Sequence, residues 1–380
     1  MSNDSIRSIA MFHRVFAVFP LILGMLLLAS CTGTGNSPWK GNTGDAAVYG
    51  SVPVAGAAPV ASNGQTVKVA ILLPLSGKSA GVGQSMLQAA QLAVFDMGYD
   101  NFELMSLDTG GTANGASAAA TKAVTDGAQL ILGPLFAEEV RAVKSVTSMR
   151  NINVIAFSTD WTLAGGNTYI MGFLPFGQVE RIASFAADMG LKKVAVAAPA
   201  DQYGTTVSQR FESEAAERGI TVTRALSDVA GYDSVFIPAG GNQLTSILQR
   251  VSNTNARKLG TGLWDDERVA AMPQMNGAWF AAPSPAARAS FESRYQSTYG
   301  SKPVRIATLA YDASALAQAL SKNGGGASAF TAANLTNPNG FAGIDGILRF
   351  NRSNLVERGM AVLEIKGGRM TEIAPAPRSF

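Results

Sequence analysis

The stretch Val67-Lys68-Val69-Ala70-Ile71-Leu72-Leu73 is a mostly apolar run rich in Val, Ile and Leu. Such a run suits a strand buried on both faces, as in a parallel sheet. Pro74-Leu75-Ser76-Gly77 stops it, and a small-residue loop from Lys78 to Gln84 follows, carrying Gly81 and Gly83. From Ser85 the apolar period changes. Met86, Ala89, Ala90, Ala93, Val94 and Met97 share one helical face, and Gly98 has the place of a C-cap. The stretch therefore reads as one β-loop-α unit. In open α/β sheets ligands sit beyond the carboxyl ends of the strands, where such loops lie.

The same unit recurs down the chain. Strands are expected at Phe102–Leu107, Gln129–Leu132 and Asn153–Phe157, with helices at Ala116–Asp126 and Ala137–Met149. Four such steps in a row mean a right-handed parallel sheet covered by helices. Tyr169–Phe176 breaks the rhythm with Gly172 and Pro175, and the period then restarts. Helices are expected at Val179–Met189, Thr205–Arg218 and Gln243–Val251, and strands at Lys193–Ala198, Ser234–Ile237, Lys258–Leu263 and Gly277–Ala282. Two more helices follow, at Ala286–Tyr299 and Thr308–Leu320. Gly346–Phe350 and Met360–Lys366 read as two short strands that pair as an antiparallel edge.

The residues before Gln65 differ in kind. Arg7 and Arg14 precede an apolar segment, Val15–Leu28, of signal-sequence length and shorter than the roughly 20 residues of a membrane span. Leu28-Ala29-Ser30-Cys31 closes it and resembles a bacterial lipobox, which implies lipidation of Cys31, the only cysteine. Thr32 follows rather than Asp, the pattern that lipoprotein sorting associates with the outer membrane. Residues 31–64 are rich in Gly, Ala, Ser, Pro and Thr. They read as a flexible tether with an r.m.s. reach of roughly 30 Å.

Composition excludes several chemistries. The formal charge is +3, spread without a basic cluster, which argues against a nucleic-acid partner. The only histidine, His13, lies in the signal segment. The mature chain therefore has no Ser-His-Asp or Cys-His machinery and no His- or Cys-ligated zinc. No phosphate loop and no G-x-G-x-x-G fingerprint follows a strand. Asp108-Thr109-Gly110 reads like an aspartic-protease triplet, but that chemistry needs a second carboxylate sharing a proton, and only one copy is present. The expectation is no enzyme, no cofactor and no metal.

Five segments taken together resemble type I periplasmic binding proteins, in particular the leucine/isoleucine/valine-binding family. They are Val69-Ala70-Ile71-Leu72-Leu73-Pro74-Leu75-Ser76-Gly77, Leu132-Gly133-Pro134-Leu135, Asp201-Gln202-Tyr203-Gly204, Tyr311-Asp312-Ala313 and Gly343-Ile344-Asp345-Gly346-Ile347-Leu348-Arg349-Phe350. With the lipobox, the pattern is most similar to the family's lipoprotein branch, which includes activators of penicillin-binding proteins. The resemblance covers about residues 66–374. It implies an α/β clamp of two lobes, each a mostly parallel sheet flanked by helices, with the hinge crossed three times. The crossings are expected near Met171–Phe176, Ala281–Ser284 and Pro338–Phe341. The expected division is a signal at 1–30, a tether at 31–64, a first lobe at 65–172 plus 283–337, and a second lobe at 173–282 plus 338–374.

The family holds a ligand carboxylate on the first lobe and an ammonium on the second. The resemblance places the first-lobe candidates at Ser76, Leu135, Phe136, Ala137, Ser158 and Thr159. The entry to the helix at Ala137 would also present free N–H groups and a dipole to an anion. On the second lobe the candidates are Tyr203 and Asp265, with Trp264 as an apolar wall. The plain alternatives are a strand end at Ser158-Thr159 and a turn stabilised by Asp265 and Asp266. Two departures stand out. Ala137 replaces the family's main carboxylate-binding serine and is followed by Glu138 and Glu139, which would repel an anion if they faced the cleft. Gly240-Gly241 stands where the family has a cleft tyrosine.

Two functions remain. One is a non-catalytic lipoprotein regulating a penicillin-binding protein from the periplasmic side of the envelope. The other is a solute-binding lipoprotein delivering an amino acid or another small polar ligand to an ABC permease. Membrane attachment is expected through the lipid alone.

Overall fold

The computed structural model describes residues 66–324 and 326–380. The signal segment, Cys31 and the tether lie outside the described residues. Among the described residues no helix is long and apolar enough to cross a membrane.

The first sheet is built by β1 (Val67–Leu73), α1 (Ala80–Met97), β2 (Phe102–Asp108), α2 (Ala113–Thr125), β3 (Leu130–Leu132), α3 (Ala137–Thr147), β4 (Asn153–Ala156) and β5 (Thr168–Ile170). All five strands run parallel in the order β2-β1-β3-β4-β5. Six of the seven β1 residues are buried, as expected of a strand covered on both faces. Burying each Val, Ile or Leu there contributes roughly 1.5–3 kcal/mol. α1 starts five residues before the expected Ser85. Gly83 belongs inside the helix because a Cβ there would lie 2.0 Å from the Pro74 carbonyl oxygen. Gly98 closes α1 in the left-handed conformation at φ +53°, the C-cap that the sequence predicts.

The chain then enters a second sheet through α4 (Pro175–Asp188), β6 (Lys193–Val196), α5 (Gln202–Glu217), β7 (Thr221–Thr223), β8 (Ser234–Phe236), α6 (Gly241–Leu248), β9 (Arg257–Gly260), α7 (Glu267–Ala270) and β10 (Trp279–Ala282). It returns through α8 (Pro285–Tyr299), α9 (Ala307–Gly324), α10 (Ala332–Leu335), β11 (Leu348–Phe350) and β12 (Val356–Arg358). β13 (Ala361–Lys366) and β14 (Arg369–Ala374) finish the second sheet. Its order is β14-β13-β10-β9-β8-β6-β7, with β13 antiparallel to both its neighbours and the other pairings parallel. This is the α/β two-lobed architecture.

α8 and α9 belong to the first lobe. Phe291, Tyr295, Tyr311 and Ala315 share a buried cluster with Ala89, Leu92 and Ala93 of α1. Three expectations shift. β5 is a full member of the first sheet, whereas Tyr169 and Ile170 read as part of the break in the strand rhythm. β11 pairs with β12, and β13 pairs with β10 and β14, so the two tail strands do not pair with each other. Leu348, Phe350 and Val356 sit in the first lobe's core, with Phe350 edge-on to Tyr169 at 5.2 Å. The third passage between lobes therefore falls at Gly359–Met360, later than Pro338–Phe341.

Candidate functional site

In the first sheet the connections leave β1 and β3 in opposite directions, so the loops after these strands flank a crevice at their carboxyl ends. The crevice is lined from residues 74–77 and 133–137. The corresponding place in the second sheet lies between β6 and β8, with residues 199–203 and 237–240 at its rim.

Asp108 organises one side of the first crevice. Its Oδ1 accepts the N–H groups of Leu75 at 2.8 Å, Ser76 at 3.2 Å and Gly110 at 2.8 Å. Partial burial works to raise its pKa, but the Ser76 side chain and these three N–H groups outweigh it and hold the carboxyl below the usual range. Asp108 is thus a loop clamp, and Ser76 is tied to it. The Asp-Thr-Gly triplet has no protease geometry: Thr109 points its hydroxyl at Glu139 Oε1, 2.5 Å away.

Glu139 is fully buried. Its Oε2 also accepts the Phe136 N–H at 3.0 Å, and the Leu135 N–H contributes as well. Burial raises its pKa despite these donors, and the neighbouring Glu138 adds to the rise. Buried in this way, the carboxylate does not face the cleft. It takes the Phe136 and Leu135 N–H groups just ahead of α3, two of the donors that an incoming anion would use. Leu135, Phe136 and Ala137 are half-buried beside it. Only half of a capping box is present: Glu139 reaches back to the Phe136 N–H, but Phe136 has no side-chain acceptor, so the Ser/Thr-x-x-Glu pattern that marks such a cap in sequence is missing.

Ser158 and Thr159 follow β4. Ser158 is buried, and its Oγ accepts the Asp160 N–H at 3.1 Å, so this hydroxyl shapes the local turn. Thr159 is exposed.

On the second lobe, Tyr203 packs against the core, and its hydroxyl lies 3.4 Å from Thr261 Oγ1. Burial raises its pKa. Trp264 is not a cleft wall. It is fully buried, donates Nε1–H to the Ala239 carbonyl at 2.8 Å, and lies over Gly260, where a Cβ would stand 2.5 Å from the ring. Its neighbour Asp265 faces the first lobe. Asp265 Oδ2 is paired with the Arg288 guanidinium and accepts Arg305 Nε–H at 3.0 Å. The Asp265 side chain is only 5% exposed. Arg305 also reaches Asp345 Oδ1 at 3.1 Å and lies over the Phe173 ring at 4.5 Å. Burial opposes its charge, but Asp345 and Asp265 outweigh that and secure it. Arg358 flanks the same ring at 5.7 Å and donates to Asp312 Oδ2 at 3.1 Å. Arg288, Arg305 and Asp345 escaped the sequence reading because they lie 23, 40 and 80 residues from Asp265, where no spacing rule connects them.

Among the described residues no group of three or more His, Cys, Asp or Glu side chains is arranged to hold a metal. The sequence model of the family described as periplasmic binding protein matches residues 66–278, the span holding both crevices. This chain belongs to the periplasmic binding protein family. Members bind rather than catalyse, and they work in the cell envelope.

Among curated proteins, the penicillin-binding protein activator LpoA of Glaesserella parasuis is 28% identical over 182 residues, 48% of this chain and 29% of the relative. Uncharacterized protein RP748 of Rickettsia prowazekii is 27% identical over 147 residues, 39% of each chain. The chain thus spans well under half the length of these relatives. Among solved structures, a Rhodospirillum rubrum protein assigned to branched-chain amino acid ABC transport aligns with TM-score 0.72 and 18% identity, covering 81% of this chain and all of that one. A leucine complex of a substrate-binding protein from Desulfitobacterium hafniense gives 0.62 at 18%, covering 81% and 100%. The LpoA C-domain of Haemophilus influenzae, a regulator of PBP1A, gives 0.60 at 17%, again 81% and 100%. At these identities the likeness is one of fold.

Proposed function

We propose that this chain is a non-catalytic envelope lipoprotein that regulates a penicillin-binding protein, and through it peptidoglycan synthesis. One observation carries the reading: the groups with which a clamp of this fold would hold an amino acid are already engaged within the chain. Glu139 takes the Phe136 and Leu135 N–H groups ahead of α3, and Arg288 and Arg305 take Asp265 Oδ2. The relationship to an LpoA activator over 182 residues supports the choice of partner class. Anchoring through Cys31 in the outer membrane, with residues 31–64 as tether, completes the proposal. The transport reading keeps the fold likeness in its favour, but the engaged cleft groups speak against it.

The test is direct. A class A penicillin-binding protein from the same cell is titrated with the chain while glycan polymerisation and peptide crosslinking are followed. A saturable rise in either rate supports the reading. No change in either, with no binding, overturns it.

A further inference from the structure

In a two-lobed clamp the ligand ordinarily bridges the lobes, so its charges set the closing equilibrium. Here the bridge is made of protein. We propose that the clamp is self-liganded: the guanidinium groups of Arg288 and Arg305 on the first lobe occupy Asp265 on the second, fixing the angle between lobes without a small molecule.

Both ends of the bridge are rigidly mounted. On the second lobe, Asp265 ends a 3₁₀ turn, Gly262–Trp264, which Trp264 ties to Ala239 and Gln178 ties to the Gly262 N–H at 2.7 Å. On the first lobe, Arg288 lies in the opening turn of α8, directly after the second passage between lobes. Arg305 is held by fully buried Asp345, by Thr308 Oγ1 at 3.2 Å and by the Phe173 face within the first passage. Arg358, next to the third passage, touches the same ring. The cluster thus borders all three passages.

Burial gives the bridge its force. Exposed ion pairs contribute little, but breaking a desolvated pair leaves uncompensated charges behind. Asp265 is 5% exposed and Arg288 14%. Opening the lobes at this cluster would separate one carboxylate from two guanidinium groups at once. A ligand's single ammonium would have to compete with both for a carboxylate whose other oxygen, Oδ1, is buried. The inference does not depend on the penicillin-binding-protein reading, since a self-liganded clamp could present a fixed surface to any partner.

The test measures the distance between lobes in the full chain by double electron–electron resonance. Spin labels go on Thr121→Cys in α2 and Gln209→Cys in α5, both exposed, in a Cys31→Ser background. The parent is expected to give one narrow distribution, unmoved by millimolar amounts of any of the twenty amino acids. Asp265→Asn should broaden it and shift its mean by several ångströms, Arg288→Gln should do so less, and Asp265→Glu should restore most of the narrow form. If Asp265→Asn fails to fold, Arg288→Gln decides. An unchanged distribution in the folded variants, or a parent distribution moved by an amino acid, overturns the proposal.

Discussion

Glu139 Oε2 accepts the backbone N–H of Phe136 at 3.0 Å, which places a carboxylate of the chain at the mouth of α3. Its other oxygen takes the Thr109 hydroxyl, so the loop after β2 and the start of α3 meet on one buried acid. Removing it strands a hydroxyl and a helix-start N–H in a dry site. Glu139→Ala should therefore lower unfolding free energy by about 1–3 kcal/mol in urea. Glu139→Gln, which keeps an acceptor, should cost less. A loss under about 0.5 kcal/mol for the alanine variant would show that water replaces the carboxylate.

Asp108 is the companion clamp, and its role is structural. Asp108→Ala frees the N–H groups of Leu75, Ser76 and Gly110 together. Because the carboxylate is exposed, its loss should cost only about 1 kcal/mol. Its folded pKa is lowered, so its contribution is present at neutral pH and fades as pH falls through the folded value. Purified wild-type protein should show no peptidase activity, and an activity removed by Asp108→Asn would contradict the assignment.

Gly260 carries a packing prediction. A Cβ there would stand 2.5 Å from the fully buried Trp264 ring, whose Nε1–H is pinned to Ala239. The ring cannot retreat without breaking that bond. Gly260→Ala should destabilise the fold by about 1–3 kcal/mol or more, and Trp264 emission should shift toward longer wavelength. Unchanged stability and emission would mean that the second lobe's core yields easily.

Sequence reached the fold because its signals were local. The apolar run of β1, the helical stripe of α1 and the glycine at 98 each identify an element without help from distant residues. β5 failed that test: Thr168-Tyr169-Ile170 is too short to show a period, and it becomes a strand only because β4 offers an edge to pair with. The candidate positions could be named from sequence, but their contacts could not. Asp265 stood out as a cleft acid, yet its partners are fixed by the meeting of two lobes. Trp264 beside it read as a wall because nothing local says that the residue four positions earlier, a glycine, leaves room for its ring in the core.

Asp312 gives a pH prediction. Buried in α9, it accepts the Ile344 N–H at 2.7 Å and pairs with Arg358. Burial pushes its carboxyl up to about 6, against the pull of Arg358 and with help from the Asp345 carboxylate. A raised folded pKa means that the folded state holds this proton more tightly than the unfolded chain. The contribution of Asp312 to stability is therefore full below about pH 4 and is lost as pH rises to about 6. The stability of wild type relative to Asp312→Asn should fall across that window. A difference that stays flat from pH 4 to 7 would place the titration of Asp312 elsewhere.

The cleft itself yields the sharpest outcome. A working amino-acid receptor must free the donors at the start of α3 for a carboxylate and free Asp265 for an ammonium. Here Glu139 holds the Phe136 and Leu135 N–H groups of the first set, and Arg288 and Arg305 hold Asp265 Oδ2. A ligand would have to compete with a buried carboxylate and two guanidinium groups, each engaged in charge-assisted bonds worth about 1.5–3 kcal/mol. A ligand at 100 times its dissociation constant stabilises a protein by about 2.7 kcal/mol, which would raise the melting temperature by several degrees. None of the twenty amino acids is expected to produce such a rise in a thermal-shift screen. A rise of several degrees with Leu, Ile or Val that disappears in Asp265→Ala would show that a ligand reaches Asp265 after all. It would also make delivery to an ABC permease the better account of the chain.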